Sequence, residues 1–448
     1  MRTLAGILLL GLTVTACADT ATRETGGSDE IFPFETRHVE LDNGFNAYLV
    51  DAGAPGQIAY VSMVRTGARD EVEEGRTGYA HFFEHMMFRG TETYPNYDAV
   101  TSKMGAARNA FTSNDMTVYY LVAASEYLEE IVDLESDRFQ NLSYSEPDFR
   151  TEAGAILGEY QQSALNPFSF LDQHLRAEAF HVHTYGHQTI GYEEDVRGMP
   201  EGYEYSLSFF DRFYRPENVV LVIAGDFDFE EAESLVREYY GGWEPGYVPP
   251  AIEPEPEQTE PREITVEYPG RTLPVLSVNY KGPAWSATDR LAVATEVLGS
   301  VAFGSNSDLY RKLVIQEGRV QYLTAGFGLP RDPGLLTIST MVNDPADVEA
   351  VREEIRATVE RFRSELVDPR LLSDTKSNMK YSFLMGLETG QQVAFSLIPF
   401  IINTGAIEAV GDYYATLESV TAEDVREAAR TYLTEEGRTT ATMIQAEG

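Results

Sequence analysis

The order of strand-like and helix-like segments occurs twice in this chain of 448 residues, and that repeat constrains the fold more than any other feature. Each copy begins with an apolar strand, continues with helices and further strands, and closes on one last strand. A chain of this length is too long for a single ordinary hydrophobic core. The repeat therefore predicts an α+β fold of two homologous domains, each a mostly antiparallel sheet packed with helices.

A segment rich in proline and glutamate separates the two copies. It contains Pro249-Pro250 and Glu253-Pro254-Glu255-Pro256, a composition that favours an extended and semi-rigid chain. We predict five consecutive parts: a signal peptide at 1–16, a lipidated cysteine with a flexible tether at 17–30, a first domain at 31–243, a linker at 244–262 and a second domain at 263–448.

Local signals mark several elements of the first copy. Asp42-Asn43-Gly44 lies between two alternating apolar runs and predicts a hairpin. Ser145, with Pro147 and Asp148 behind it, predicts the start of a helix that continues through Tyr160. Pro167 is predicted to end that helix.

A helical pattern in the first copy contains His81-Phe82-Phe83-Glu84-His85 and ends near Gly90. Histidines four residues apart lie on one face of a helix, where both can bind one zinc ion. Glu84 can reach a zinc-bound water rather than the metal, and the order H-x-x-E-H is the inverzincin arrangement. From these five residues alone, the alternative is an amphipathic core helix with two incidental histidines.

Two acidic residues lie on the next long helical pattern. Glu152 and Glu159 are seven residues apart, two turns along one face, beside the apolar Ile156. Acidic residues on an exposed face need no ligand, but acidic residues beside an apolar stripe are candidates for a site.

Several segments together resemble the pitrilysin/insulinase family of zinc peptidases. The resemblance rests on His81-Phe82-Phe83-Glu84-His85, Asn109-Ala110-Phe111-Thr112, Glu152, Glu159, Tyr214-Arg215-Pro216-Glu217-Asn218 and Ala224-Gly225-Asp226. It covers nearly the whole chain after the tether and is closest to the short, two-domain bacterial type that carries zinc. The fold implied is a half clamshell of the mitochondrial-processing-peptidase kind.

The resemblance implies a role for each matching residue. His81, His85 and Glu159 would bind one Zn²⁺ per chain, and Glu84 would be the general base on the zinc-bound water. Glu152 would orient a ligand histidine. The implied activity is that of a zinc metalloendopeptidase that hydrolyses extended peptides or small unfolded proteins.

The resemblance also implies a strand that binds substrate. An edge strand would pair with the extended peptide. Its residues are Asn109, Ala110, Phe111 and Thr112.

One departure from the family concerns an arginine and a tyrosine that complete the site. Tyr322 fits the tyrosine, but the position seven residues before it is Ile315. Arg311 and Arg319 flank this position without matching its register. Some bacterial relatives divide the zinc motif and the Arg/Tyr pair between two chains. The resemblance therefore predicts a heterodimer, with the pair supplied by a homologous chain that lacks the zinc motif.

The net charge of −38 argues against nucleic acid and against anionic membrane surfaces as partners. It is compatible with basic peptides as ligands, and equally with a plain requirement for solubility.

The N-terminus predicts export. An apolar run from Leu4 to Val14 has the length of a signal peptide and leads into Val14-Thr15-Ala16-Cys17, which resembles a bacterial lipobox. Lipidation of Cys17 would place the protein in the bacterial periplasm, anchored at the outer membrane and touching the membrane only through its lipid. The alternative is a plain secretory signal cut near Ala18.

Three alternatives remain open from the sequence. His181, His183 and His187 cluster closely enough for a second metal site, although the resemblance implies a structural loop there. In the second alternative, the chain is a non-catalytic family member that acts as a scaffold or peptide-binding subunit. In the third, it is a peptide-capturing lipoprotein whose zinc is structural.

Overall fold

The computed structural model describes residues 24–25, 31–328 and 330–446. The predicted signal peptide, Cys17 and most of the tether lie outside the described residues.

The first half of the chain forms a seven-stranded sheet. Its strands are β1 (Glu24–Thr25), β2 (Thr36–Glu40), β3 (Asn46–Asp51), β4 (Gln57–Val64), β5 (Ala107–Thr112), β6 (Thr117–Ala124) and β7 (Val219–Gly225). Their order in the sheet is β1-β2-β3-β7-β4-β6-β5, so β5 lies at an edge. β3 and β7 pair in parallel, and all other neighbours are antiparallel.

The second half forms a five-stranded sheet. Its strands are β8 (Arg262–Tyr268), β9 (Val275–Lys281), β10 (Val320–Phe327), β11 (Leu335–Val342) and β12 (Arg438–Gln445). The order β8-β12-β9-β11-β10 repeats β3-β7-β4-β6-β5, including the one parallel pair at the start. The prediction of two related α+β domains with mostly antiparallel sheets is confirmed.

Helices cover both sheets. Those of the first half are α1 (Tyr79–Met86), α2 (Tyr97–Lys103), α3 (Leu128–Asn141), α4 (Glu146–Ser163), α5 (Pro167–Ala179), α6 (Glu193–Gly198), α7 (Tyr203–Phe213) and α8 (Phe229–Tyr240). Those of the second half are α9 (Arg290–Phe303), α10 (Asp308–Tyr310), α11 (Val348–Ser364), α12 (Pro369–Met385), α13 (Gly390–Thr404), α14 (Ala409–Ser419) and α15 (Ala422–Tyr432). A π-helical turn, Arg311–Gln316, follows α10.

α4 begins where its capping residues predict and ends earlier than expected. The Ser145 hydroxyl accepts a hydrogen bond from the Asp148 N–H, which closes a capping box. The helix ends at Ser163, so the prediction that it continues to Pro167 is wrong. Pro167 instead opens α5, where its missing N–H costs nothing and Asn166 caps the helix.

Each face of the first sheet has its own core because side chains alternate along a strand. On β4, Tyr60 packs with the helices of the first half, whereas Val61 and Met63 face the second half. α13 covers this second face, and its Phe395 ring lies 5.0 Å from the ring of Tyr120. The two halves therefore share one core.

No single helix in the described residues is long and apolar enough to cross a membrane. α13 and α14 pass that test of length and composition only together, as a pair bent by 88°. Most residues of α13 are buried in the core shared by the two halves.

The linker between the halves is fixed to the first of them. The Glu255 carboxylate accepts hydrogen bonds from the backbone N–H groups of His181, Val182 and His183 at 2.9–3.0 Å. These bonds hold the pKa of Glu255 below its usual value against the opposing effect of burial.

Candidate metal centre

The motif helix α1 has an unusual N-terminus. Gly78 is its N-cap residue, with φ at 90°, and has no side chain to offer the free N–H groups. The buried Glu71 carboxylate accepts hydrogen bonds from the N–H groups of Gly78 at 2.8 Å and Ala80 at 2.7 Å. Burial raises the pKa of Glu71 to about 8, although these hydrogen bonds act in the opposite direction. Glu71 thus fixes the start of the helix that carries the motif.

The two faces of α1 differ. The helix buries Tyr79, Ala80, Phe82, Phe83 and Met86. The three polar residues of the motif, His81, Glu84 and His85, are only partly buried. Burial of the apolar residues therefore orients the histidines and the glutamate towards the opposite side.

His81, His85 and Glu159 form a cluster suited to a metal ion. Their ligand atoms all lie within 4.8 Å of one another. Glu159 Oε2 is 3.6 Å from His81 Nε2 and 3.5 Å from His85 Nε2. Tetrahedral zinc with bonds of about 2.0–2.1 Å places its ligand atoms roughly 3.3 Å apart, so the cluster fits zinc.

The histidine His81 is held neutral. Burial and the neighbouring His85 lower the pKa of His81 to about 4. A neutral imidazole keeps the nitrogen lone pair that a metal requires.

The His85 ring is also bonded on its other side, through the nitrogen that faces away from the metal cluster. Its Nδ1 lies 2.9 Å from Glu152 Oε1, and the other Glu152 oxygen is in an ion pair with Arg89. The hydrogen bond with His85, and then Arg89, lower the pKa of Glu152 against burial. Burial alone would lower the pKa of His85, but Glu152 and Glu159 raise it overall. The carboxylate of Glu152 thus orients the ring whose Nε2 faces Glu159.

Glu84 is next to the cluster but is bonded elsewhere. The Thr112 hydroxyl donates a hydrogen bond of 2.7 Å to Glu84 Oε2. Burial raises the pKa of Glu84, and the Thr112 hydrogen bond partly opposes this effect. A carboxyl group with a raised pKa is suited to proton transfer near neutral pH.

The predicted substrate strand is the edge strand β5. Among the described strands it pairs only with β6, with Asn109 opposite Tyr120 and Thr112 opposite Thr117. Ala110 is buried, and Phe111 packs towards Phe395 of α13 at 6.1 Å between ring centroids. The outer edge of β5 therefore lies beside Glu84, because Thr112 bonds to that residue.

Tyr322 is not part of the cluster in this chain. Its hydroxyl lies 3.4 Å from the Ser339 hydroxyl on β11, and its ring is 6.4 Å from that of Phe168 on α5. Ile315, at the position of the missing arginine, is 67% exposed in the π-helical turn.

Two histidines of the other predicted cluster, His183 and His187, have structural partners. His183 Nε2 lies 3.0 Å from Asp332, and its Nδ1 accepts a hydrogen bond from the Tyr185 N–H. His187 Nδ1 bonds to the Gln188 carbonyl at 2.9 Å. Within the described ranges, the only metal-type cluster is that of His81, His85 and Glu159.

Asp332 joins the two halves close to the end of β5. It pairs with Arg69 at 2.6 Å and with His183 at 3.0 Å, and its N–H donates to the Tyr185 hydroxyl at 3.2 Å. The Tyr185 hydroxyl in turn donates to Asp115, three residues beyond β5. The hydrogen bonds with His183 and Arg69 keep the pKa of Asp332 well below its usual value despite burial.

Glu71, Arg89 and Asp332 were not predicted from the sequence. Arg89 had a usable signal, because it follows His85 by four residues and so lies on the same helical face. Glu71 and Asp332 act through contacts between loops, for which the sequence has no local pattern.

The H-x-x-E-H order on α1, with Glu159 supplied by a second helix, is the inverzincin arrangement of residues. Residues 52–193 match the family described as Insulinase (Peptidase family M16), and residues 203–379 match Peptidase M16 inactive domain. The chain belongs to this family.

Relatives and a solved structure agree with that assignment. The chain is 23% identical to zinc protease PqqE of Helicobacter pylori, over 90% of this chain and 91% of that protein. It is 26% identical to mitochondrial-processing peptidase subunit beta of Bos taurus, over 89% of this chain and 82% of that protein. The fold is similar to the crystal structure of a protease from Helicobacter pylori, with a TM-score of 0.85, 23% identity, and coverage of 91% of this chain and 99% of that one.

Proposed function

We propose that this protein is a zinc metalloendopeptidase that hydrolyses extended peptides or small unfolded proteins. The observation that carries the proposal is the cluster of His81, His85 and Glu159 with Glu84 beside it. The names of the family and of its zinc-protease relative support the same activity.

The residues of the chain divide the work of hydrolysis. His81, His85 and Glu159 would hold zinc, which polarises a carbonyl and makes water more acidic when it is bound. Glu84 accepts the proton of the attacking water and later delivers it to the leaving amine. The Thr112 hydroxyl holds the Glu84 carboxylate in place for both steps.

The edge strand β5 would hold the substrate. An extended peptide that adds to its free edge satisfies the backbone groups of the strand without regard to sequence. Thr112 lies on β5 and also bonds to Glu84, so a peptide paired with β5 passes beside the base.

We also propose that a homologous partner chain completes the site. Tyr322 lies outside the cluster, and Ile315 stands where the family has an arginine. The relative from Bos taurus is itself named as a subunit. If the isolated chain cleaves peptides as fast as its mixture with such a partner, this part of the proposal is wrong.

Cys17 remains the proposed lipid-bearing residue, which would anchor the protein in the periplasm. Mass spectrometry of the protein from its native membranes would detect the acylated N-terminal peptide. An unmodified N-terminus after Ala18 would contradict lipidation.

A non-catalytic scaffold or peptide-binding subunit is the second candidate function. The match of residues 203–379 to a family segment described as inactive favours it. The zinc cluster and Glu84 lie outside that segment, in the part that matches the peptidase family itself.

The variant Glu84→Gln distinguishes these functions. We expect it to keep one zinc per chain, measured by atomic absorption, and to lose peptide hydrolysis by about a hundredfold or more, because glutamine cannot accept the proton. Glu146→Gln, at an exposed position on α4, is the matched control and should behave as wild type. Zinc binding without hydrolysis in the wild-type protein, alone and with a partner, would support the scaffold instead.

A further inference from the structure

A cavity of about 510 Å³ lies between the two halves, beside the end of the edge strand β5. Its walls include Ser113, Asn114 and Asp115, the residues that directly follow β5. Its volume is within the range of ligand-binding pockets, about 300–1,000 Å³.

This interdomain cavity is adjacent to the candidate metal centre. A second, more polar cavity is lined by His81 and Glu159. Asn114, Asp172 and Arg176 line both cavities and so form the boundary between them. The interdomain cavity therefore lies next to the cavity that contains the zinc cluster, with only these side chains between them.

One wall of the cavity is made of small residues on the second sheet. Ser277 is directly opposite Ser339, and Gly326 is directly opposite Thr337. Residues directly opposite one another, or two apart on one strand, point to the same face of a sheet. The short side chains of these four residues leave space between the sheet and α5.

The opposite wall is apolar. Phe168, Leu171 and Leu175 line it from one face of α5, with Phe180 just beyond the helix. Phe168 is 45% exposed, an unusual exposure for a large apolar side chain in a cavity wall.

The charged residues at the boundary are already neutralised. Arg176 pairs with Asp172 at 2.7 Å, and Gln188 donates a hydrogen bond to the same Asp172 oxygen at 2.9 Å. Asp115, the third charged residue of the walls, accepts hydrogen bonds from the Tyr185 hydroxyl and the Arg331 N–H. All three charges have partners within the protein, so the cavity favours an uncharged apolar group.

We infer that this cavity is a specificity site for a large apolar side chain of the peptide substrate. The inference rests on the proposed peptidase function. The Ser113 and Asn114 carbonyls accept hydrogen bonds from the Ala68 and Arg69 N–H groups, so pairing of a peptide with β5 stops at Thr112. A peptide paired with β5 up to that point leaves the strand beside the cavity, and each extended residue advances about 3.3 Å. The side chain that enters the cavity belongs to the second or third residue, roughly, beyond the one facing Thr112.

Gly326 offers a direct test, because a Cβ atom added there meets nothing within 4 Å. Gly326→Leu has room for its Cβ atom and extends into the cavity from the sheet side. Gly411→Leu is the matched control: its Cβ is equally free, and it lines a different cavity that shares no residue with the metal centre. Ser339→Leu is a second filling variant from the neighbouring strand.

The substrates are glycine–serine peptides, each with one phenylalanine at a different position. We expect wild-type protein, assayed together with the proposed partner chain, to cleave one of them with kcat/KM at least about tenfold above the phenylalanine-free peptide. Both filling variants should remove that preference and leave the phenylalanine-free peptide unaffected, and the control should keep it. A preference that survives in both filling variants, or equal losses on every peptide, would overturn the inference.

Binding separates this inference from the proposed function. Fluorescence anisotropy with Glu84→Gln measures peptide affinity without turnover, and Gly326→Leu is added to that background. One outcome is that no peptide is hydrolysed, but one phenylalanine peptide binds more tightly than the phenylalanine-free peptide and loses this advantage in the double variant. In that case the cavity assignment stands and the peptidase proposal fails. Equal affinity for all peptides would overturn the cavity assignment.

Discussion

Glu152 lies between His85 and Arg89, and both contacts determine where His85 points. One of its oxygens bonds to His85 Nδ1 and the other to Arg89. If Arg89 is removed, the carboxylate has one partner fewer and is free to rotate. The orientation of the His85 ring then depends on a single hydrogen bond.

We expect Arg89→Met to weaken zinc binding by about tenfold or more, as losses behind metal ligands commonly do. Competition with a chelator measures the affinity. Arg89→Lys should restore most of it, because the positive charge is kept. Arg150→Met on α4, where the arginine is 42% exposed, is the control. Unchanged zinc affinity in Arg89→Met would show that His85 alone positions Glu152.

The titration of Glu296 is expected to make the free energy of unfolding depend on pH. Its carboxyl group is largely buried on α9 and accepts a hydrogen bond of 2.7 Å from Tyr413. Burial raises the pKa of Glu296 from its ordinary 4.5 to about 7. Between these values the folded state keeps a proton that the unfolded state loses, so stability is complete below pH 4.5 and decreases as pH rises to 7.

The variant Glu296→Gln removes this titration. We expect its free energy of unfolding to vary less between pH 4.5 and 7 than that of wild type, by at most about 3 kcal/mol. Urea unfolding at several pH values measures the difference. Parallel pH profiles for the two proteins would contradict the prediction.

At the scale of the element, α1 depends on a residue outside itself. Its N-cap is a glycine, and the Glu71 carboxylate supplies the missing acceptors. The ligands His81 and His85 follow within two turns, so any loosening of the first turn reaches them.

We expect Glu71→Ala to lower the free energy of unfolding by about 1–3 kcal/mol, because two N–H groups lose their buried acceptor. Zinc affinity should fall with it. Thermal unfolding of the metal-free protein measures the first effect. Glu74→Ala, at an exposed position in the same segment, should change neither quantity. Equal stability of the two variants would show that water replaces Glu71.

Elements with local signals were predictable from the sequence. α4 was found because Ser145 and Asp148 form a cap and the apolar spacing is helical. α5 was missed because Pro167 was taken only as the end of α4, although proline also opens helices. β8 was missed as well, although its alternation of charged and apolar residues is typical of an edge strand. α13 has no polar face to reveal its period, because it is buried between the halves.

For the whole molecule, the repeated order of elements predicted the two sheets but not the contacts between them. The zinc cluster could be assembled from His81, His85 and Glu159 because a family resemblance joined the two helices. The bonds of Asp332 to Arg69 and His183 could not be predicted from the sequence, since loops have no periodic pattern that indicates their partners.

These bonds predict that the second half stabilises the end of the substrate strand. Asp332→Asn should weaken the pairs with Arg69 and His183 and increase hydrogen exchange in residues 107–115. We expect KM for peptides to rise while kcat changes little, because Glu84 and the ligands stay in place. Asp374→Asn, at an exposed carboxylate, is the control. An increase in hydrogen exchange that is confined to the second half would contradict this prediction.

The position of α13 also has a consequence during biosynthesis. The face of the first sheet that α13 covers is complete once β7 has left the ribosome, but α13 itself follows roughly 165 residues later. At about 5–20 residues per second, that interval lasts on the order of ten to thirty seconds. For that time the nascent chain exposes Val61, Met63 and their neighbours to the solvent. A chaperone that recognises apolar surface would have its binding site there, on a surface that no longer exists in the finished protein.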